Sequence, residues 1–140
     1  MIVTFQTLAE LDYQAAGALL ESKATVHNIS SLHSRQAVEK YLKFLLARSS
    51  SHEDMKIGMP EIQSLIASHN LTKIMYTCMD VYTDLYKLKK EIIELTDLYF
   101  KINYPGSEFY FVNKEASLIH YATATKVKEC CLAILSGKRY

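Results

Sequence analysis

The chain is poor in nearly everything that interrupts a helix. Its 140 residues include four glycines, two prolines and no tryptophan. Gly and Pro are the strongest local punctuation of a fold, so the elements between them run long. Cysteine is scarce too. Cys78, Cys130 and Cys131 are an odd set in a chain without an export signal, which argues against a disulfide framework and for free, buried or half-buried thiols. Cys130 and Cys131 fall on adjacent helical positions, so only one of them is expected to face the core squarely. No four ligands stand at a recognisable metal spacing, and neither a metal nor another cofactor is expected. No apolar run approaches the roughly 20 residues that cross a bilayer, and residues 1–10 have no basic n-region. The expected setting is the cytoplasm, away from membranes.

Charge of one sign is also lacking. Sixteen Lys and Arg stand against fifteen Asp and Glu, a formal net charge of +1. A domain that grips long nucleic acid through phosphates usually shows a clear basic excess. Only Arg35, Arg48 and Arg139 carry the guanidinium that holds phosphate bidentately. A local basic patch is compatible with these numbers; global steering of DNA or RNA is poorly supported. What is present is apolar: 49% hydrophobic residues at a length typical of one domain, enough for a core without staples.

The apolar residues recur at threes and fours. Leu8, Leu11, Ala15 and Ala18 predict a first helix over residues 7–23 with this stripe inward. Ile29, Leu32, Ala37, Tyr41, Phe44 and Leu45 predict a second over 28–48, with Asn28 as its N-cap. Residues 49–58 read as a polar connection. Pro60 suits the first turn of a short helix to about residue 69, and residues 70–80 read equally as helix or irregular bridge. Leu85, Leu88, Ile92, Leu95, Tyr99 and Ile102 lay one seam along a long helix that must end near residue 103, before Pro105 and Gly106. Residues 109–112 are an aromatic, β-prone run expected to press on the bundle as an extended segment. A last helix, capped near Asn113, carries Ala116, Ile119, Thr123, Val127, Cys130 and Ile134 to about Leu135, and Gly137 closes it. Residues 1–140 thus form one all-α domain, an antiparallel bundle of four long helices plus a short one.

The second helix also carries the densest polar pattern. Gln36, Glu39, Lys40 and Lys43 recur at threes and fours and share or flank one face. That face is either a solvated stripe worth a few tenths of a kcal/mol, roughly, per ion pair, or a pocket in which Gln36 and Lys40 hold a phosphate or a base edge. Of the five histidines, His33 and His120 lie within helices, at the margins of apolar faces; none has the i,i+4 spacing of a helical metal site. Phosphate loops and nucleophile elbows are absent. Ten tyrosines suit amphipathic walls or a dimer interface. Around Pro105, Tyr99, Tyr104 and the aromatics 109–111 form either a packed cap or a stacking platform for bases.

Asp12 and Ala15 in the first helix, then Gln36-Ala-Val-Glu39-Lys40-Tyr-Leu-Lys43 in the second and Tyr99…Asn103-Tyr104-Pro105 near the end of a later one, resemble the HEPN domain (higher eukaryotes and prokaryotes nucleotide-binding). The likeness spans about residues 5 to 135. It implies a helical bundle that pairs into a homodimer and binds a nucleotide or RNA. On that resemblance the candidate binding residues are Gln36, Glu39, Lys40, Lys43, Tyr99, Asn103 and Tyr104, with Asp12 and Pro105 as matching structural positions. The departures are specific. The family's arginine before Tyr-Pro is Asn103, the histidine of its H-D-L-x-x-L helix is Pro60, and no arginine here has a histidine at the R-x(4–6)-H spacing of the ribonuclease members. The resemblance therefore implies a non-catalytic nucleotide- or RNA-binding or protein-interaction module, with a nucleotidyltransferase as partner in a toxin–antitoxin-type pair. The alternatives are a metal-independent ribonuclease using His33 or His120 with Lys40 and Tyr104, or a purely structural bundle.

Overall fold

The computed structural model describes residues 3–22, 26–49, 52–98, 101 and 111–138, and no strand occurs among them. Helix α1 spans Phe5–Glu21 and α2 spans His27–Arg48. The shorter α3 (Met59–Ala67) and α4 (Leu71–Met79) follow, then a 3₁₀ turn at Thr83–Leu88, the five-residue α5 (Lys89–Ile93), and α6 (Lys114–Leu135). The all-helical bundle read from the sequence is what the chain adopts. Helix α1 runs antiparallel to α2, as Ser30 donates to the Ala16 carbonyl and Tyr41 donates to Glu10 at 2.6 Å. It also runs antiparallel to α6, where Tyr13 stacks on Tyr121 and Lys128 reaches Glu10.

Helix α2 is the axis of the bundle, packed by α1, α4 and α6. That position explains why it buries Ser30, Ser31, Ser34, Arg35, Glu39 and Lys43 alongside Ala37, Tyr41 and Leu45. Ile29, expected inward, is instead half exposed. The helix starts one residue earlier than expected, and Asn28 is not its cap. Its Oδ1 accepts the Val112 N–H at 2.7 Å, tying the segment ahead of α6 to the start of α2. Val112 is buried and Phe111 is exposed, while Phe109 and Tyr110 lie outside the described residues.

Caps fix the other ends. Thr4 and Thr7 form a reciprocal capping box on α1. Asn70 accepts from the Lys73 N–H, which makes the ambiguous stretch 70–80 a helix. Pro60 sits in the first turn of α3 as expected, and Ile62 and Leu65 point into the core. Asn113 caps α6 through the Ala116 N–H. Gly137, at φ +70°, turns the chain so that Lys138 N–H reaches the Ala133 carbonyl and Gly137 N–H the Ile134 carbonyl.

Two faces differ from the sequence reading. In α1 the buried residues are Ala9, Asp12 and Ala16, not the stripe at 8, 11, 15 and 18. Small side chains let α1 approach its neighbours closely, so the larger Leu8 and Leu11 are left outside. A Cβ on Gly17 would lie 2.9 Å from the Tyr121 hydroxyl, which records how closely α1 meets α6. In α6 the inward set is Ser117, Thr123, Ala124, Val127, Cys130 and Cys131. Ile119 faces solvent, and both adjacent cysteines are buried as free thiols, not one alone. Burial, with Asp84 nearby, pushes the Cys130 thiol up to about 11 and leaves it protonated and unreactive at neutral pH.

The expected long helix over residues 85–102 is, in its described part to Leu98, broken into a 3₁₀ turn, α5 and further tight turns. Leu85, Leu88, Ile92 and Leu95 are nonetheless all buried. From Leu95 to Leu98 backbone bonds step by three, Leu95 N–H to Ile92 O, Thr96 N–H to Ile93 O and Leu98 N–H to Leu95 O. A three-residue period brings Leu98 inward after Leu95, where a 3.6-residue helix would have favoured Tyr99. Residues 99 and 102–110, including the expected stop at Pro105, lie outside the described residues.

Candidate functional site

The polar face of α2 is a set of internal ion pairs around two buried carboxylates. Glu39, 3% exposed, is the first. Its Oε1 accepts from Arg35 at 2.9 Å, and its Oε2 lies 3.1 Å from both the Lys43 ammonium and His69 Nδ1. Arg35 is itself buried and also donates to two carbonyls, Leu95 at 3.2 Å and His69 at 3.1 Å. The guanidinium thus joins α2 to the turn after α5 and to the strap before α4. Burial works against the Glu39 charge, but Lys43, His69 and Arg35 outweigh it and hold the carboxyl below its ordinary range. Lys43 also lies 5.9 Å from the centre of the Phe5 ring, a cation–π distance.

Asp12 is the second carboxylate. One oxygen lies 2.7 Å from His33 Nδ1, and the other accepts from Lys40. A carboxylate only accepts, so His33 Nδ1 carries the proton there. A helix-one acid is thereby locked to two side chains of α2. Lys40 stays about a third exposed on its side chain, at 29%, and Gln36 is half-buried one turn earlier on the same helix.

Of the residues singled out in the sequence, Asp12, Lys40, Glu39 and Lys43 thus belong to two adjoining clusters along α2, flanked by Gln36. Tyr99, Asn103, Tyr104 and Pro105 lie outside the described residues. Arg35 and His69 are the residues the sequence reading missed. Arg35, Glu39 and Lys43 recur at i, i+4 and i+8, a signal that was open to inspection. His69 is 30 positions from Glu39 and left no local trace. An arginine and a histidine do meet here, through Glu39, but not in the R-x(4–6)-H order.

The HEPN domain family model matches residues 6–135, nearly the whole chain. The chain belongs to the HEPN domain family. No curated protein and no solved structure gives a significant match. Membership marks the chain as a nucleotide-binding or ribonuclease-like module. No helix among the described residues is long and apolar enough to cross a membrane.

His120 stands apart from both carboxylate clusters. Its Nδ1 lies 2.8 Å from Ser31 Oγ, Ser31 donates to Ser117 at 3.2 Å, and Ser117 donates to the His27 carbonyl at 3.3 Å. The direction of that chain makes His120 Nδ1 the donor, so its other nitrogen is the one that takes up a proton. Burial holds its pKa below the ordinary histidine value, with Glu94 partly offsetting. A lowered folded pKa favours the neutral form. The stabilisation is therefore complete above the unfolded value, about 6.5, and is lost as pH falls through the lowered one. Melting temperature is expected to fall more steeply from pH 7.5 to 5 in wild type than in His120→Gln. Equal slopes in the two proteins would contradict the half-buried neutral imidazole.

Proposed function

We propose that this HEPN domain is a non-catalytic, dimeric module of the cytoplasm that binds a nucleotide or short RNA along α2. The observation that supports it most is the local charge. Three fixed cations, Arg35, Lys40 and Lys43, surround only two carboxylates, Glu39 and Asp12. His33 and His69 lie on those same carboxylates. The face therefore favours a small anion over a long polyanion, in keeping with a net charge of only +1. Lys40, Gln36 and His33 are the partly accessible members on α2, beside the exposed His69, and Lys40 is the residue expected to meet phosphate. Asn103 in place of the family's arginine supports a non-catalytic role, and a nucleotidyltransferase in a toxin–antitoxin-type pair is the protein partner the reading carries.

Titration calorimetry with ATP, GTP and short RNAs tests the binding. One of them should give saturable heat, and Lys40→Ala should weaken it about tenfold or more, the loss of one charge-assisted hydrogen bond. No heat with any ligand would leave only the protein-partner version.

A metal-independent ribonuclease is the second reading, and one observation favours it. His69 is oriented by Glu39 beside Arg35, and His33 is joined to Lys40 through Asp12, so each imidazole has a carboxylate that sets its tautomer. An RNA cleavage assay on wild type, His69→Ala and His33→Ala decides it. Cleavage that vanishes in one variant supports the enzyme, and an inert wild type disposes of it.

A further inference from the structure

Helix α1 turns its larger apolar residues to solvent. Leu11 is 57% exposed and Leu8 36%, while Ala9, Asp12 and Ala16 make the inward face. Ala15 and Ala18 continue the outer stripe, half-buried and exposed respectively. At its N-terminal end the stripe opens into an apolar groove of about 430 Å³, lined by Val3, Phe5, Leu8, Phe44 and Ala47 with Arg48 at the rim. Arg48 has no ion-pair or hydrogen-bond partner among the described residues, and the exposed Glu21 at the far end of α1 has no cationic one. From Phe5 to Glu21 the helix covers about 24 Å at 1.5 Å per residue, so the two charges cannot meet within one chain.

A two-fold axis removes that separation. The stripe at 8, 11, 15 and 18 is symmetric about residue 13. Two antiparallel copies of α1 therefore set Leu8 against Ala18 of the partner subunit and Leu11 against Ala15 of the partner subunit. Large residues then meet small ones, as ridges meet grooves. The same operation places Glu21 of the partner subunit opposite residue 5, where the groove ends at Arg48. We propose that a second copy of this chain docks on this face, α1 against α1, with Arg48 of each copy paired to Glu21 of the partner subunit. Self-complementarity of this kind is what an isologous interface requires. Burying the leucines supplies the affinity, and the exposed ion pairs set the register, since such pairs add little energy. The proposal rests on the dimer reading above and names its surface.

Sedimentation equilibrium of the full chain over a micromolar concentration series tests it, with circular dichroism melts to verify folding. Wild type is expected at twice the 16.0 kDa chain mass. Leu11→Glu should be a folded monomer. Arg48→Glu and Glu21→Arg should each raise the dissociation constant severalfold, and the double reversal should restore it at low salt. A wild-type dimer that survives Leu11→Glu, or that the double reversal fails to rescue, overturns this surface and leaves the dimer reading standing. A wild type that stays monomeric throughout overturns both.

Discussion

Glu39→Ala is expected to destabilise the fold by about 3–5 kcal/mol, the usual consequence of stranding a buried charge by removing its partner. The residue is 3% exposed and accepts from Arg35, while Lys43 and His69 close on its other oxygen. Without it, the buried Arg35 guanidinium loses its carboxylate partner while keeping the Leu95 and His69 carbonyls, and Lys43 loses the one carboxylate it pairs with among the described residues. At roughly 2–4 °C per kcal/mol for a chain near this size, the melting temperature should drop by on the order of 10 °C. Arg35→Met and Lys43→Met with Glu39→Leu should recover much of the loss, because apolar side chains of similar volume can replace a buried group of paired charges at little net cost. The pH dependence has a definite sign. The folded carboxyl is held below its ordinary range, so its stabilisation is present above the unfolded value and is lost as pH falls through the folded one. Denaturation melts from pH 7 to 3 should show a shallower acid limb in Glu39→Ala than in wild type. A single variant within about 1 kcal/mol of wild type at pH 7 would mean that water reaches Arg35.

The helical bundle was legible because its information is local. The cap at Asn113, the glycine after α6 and the proline in α3 all act within a few residues of themselves. Which face turns inward is a different matter, set by packing. Amphipathic periodicity ranks residues by apolarity, and by that measure Leu8 and Leu11 outrank Ala9 and Ala16. Close helix approach ranks them by size, and the alanines win. Helix α2 defeats the same reasoning in another way. Packed by α1, α4 and α6, it buries serines and charges alongside its apolar residues over most of its length, so no dry stripe stands out against a wet one.

The site divides along the same line. Glu39, Lys40 and Lys43 share one helix, and their spacing exposes them. His69 joins through tertiary contact alone, as does the pairing of Asp12 with His33 and Lys40 across 21 and 28 positions. The family resemblance supplied Asp12 because a motif can record a contact that periodicity cannot see. It passed over Arg35, whose guanidinium bonds to backbone carbonyls and so depends on where Leu95 and His69 come to lie.

Ile92→Ala is expected to cost about 2–5 kcal/mol, even though Ile92 sits in a helix of only five residues. A helix that short has no stability of its own in water. Its geometry persists because Ile92, fully buried, belongs to the same core cluster as Leu85, Leu88 and Leu95, together with Met75 and Cys78 of α4. Removing three carbons leaves a cavity, and the broken backbone on either side gives no continuous hydrogen-bonded ladder to resist local opening. The loss should therefore exceed that for Tyr86→Ala in the adjoining 3₁₀ turn, where the side chain is 52% exposed; that variant is expected within about 0.5 kcal/mol of wild type. Urea unfolding of the two variants measures the contrast. Amide exchange should add that in Ile92→Ala protection falls first across residues 83–98, while the buried turns of α2 hold until global unfolding. Equal destabilisation by the two substitutions would mean that the seam contributes no packing, and that the 83–98 segment is held by its ends alone.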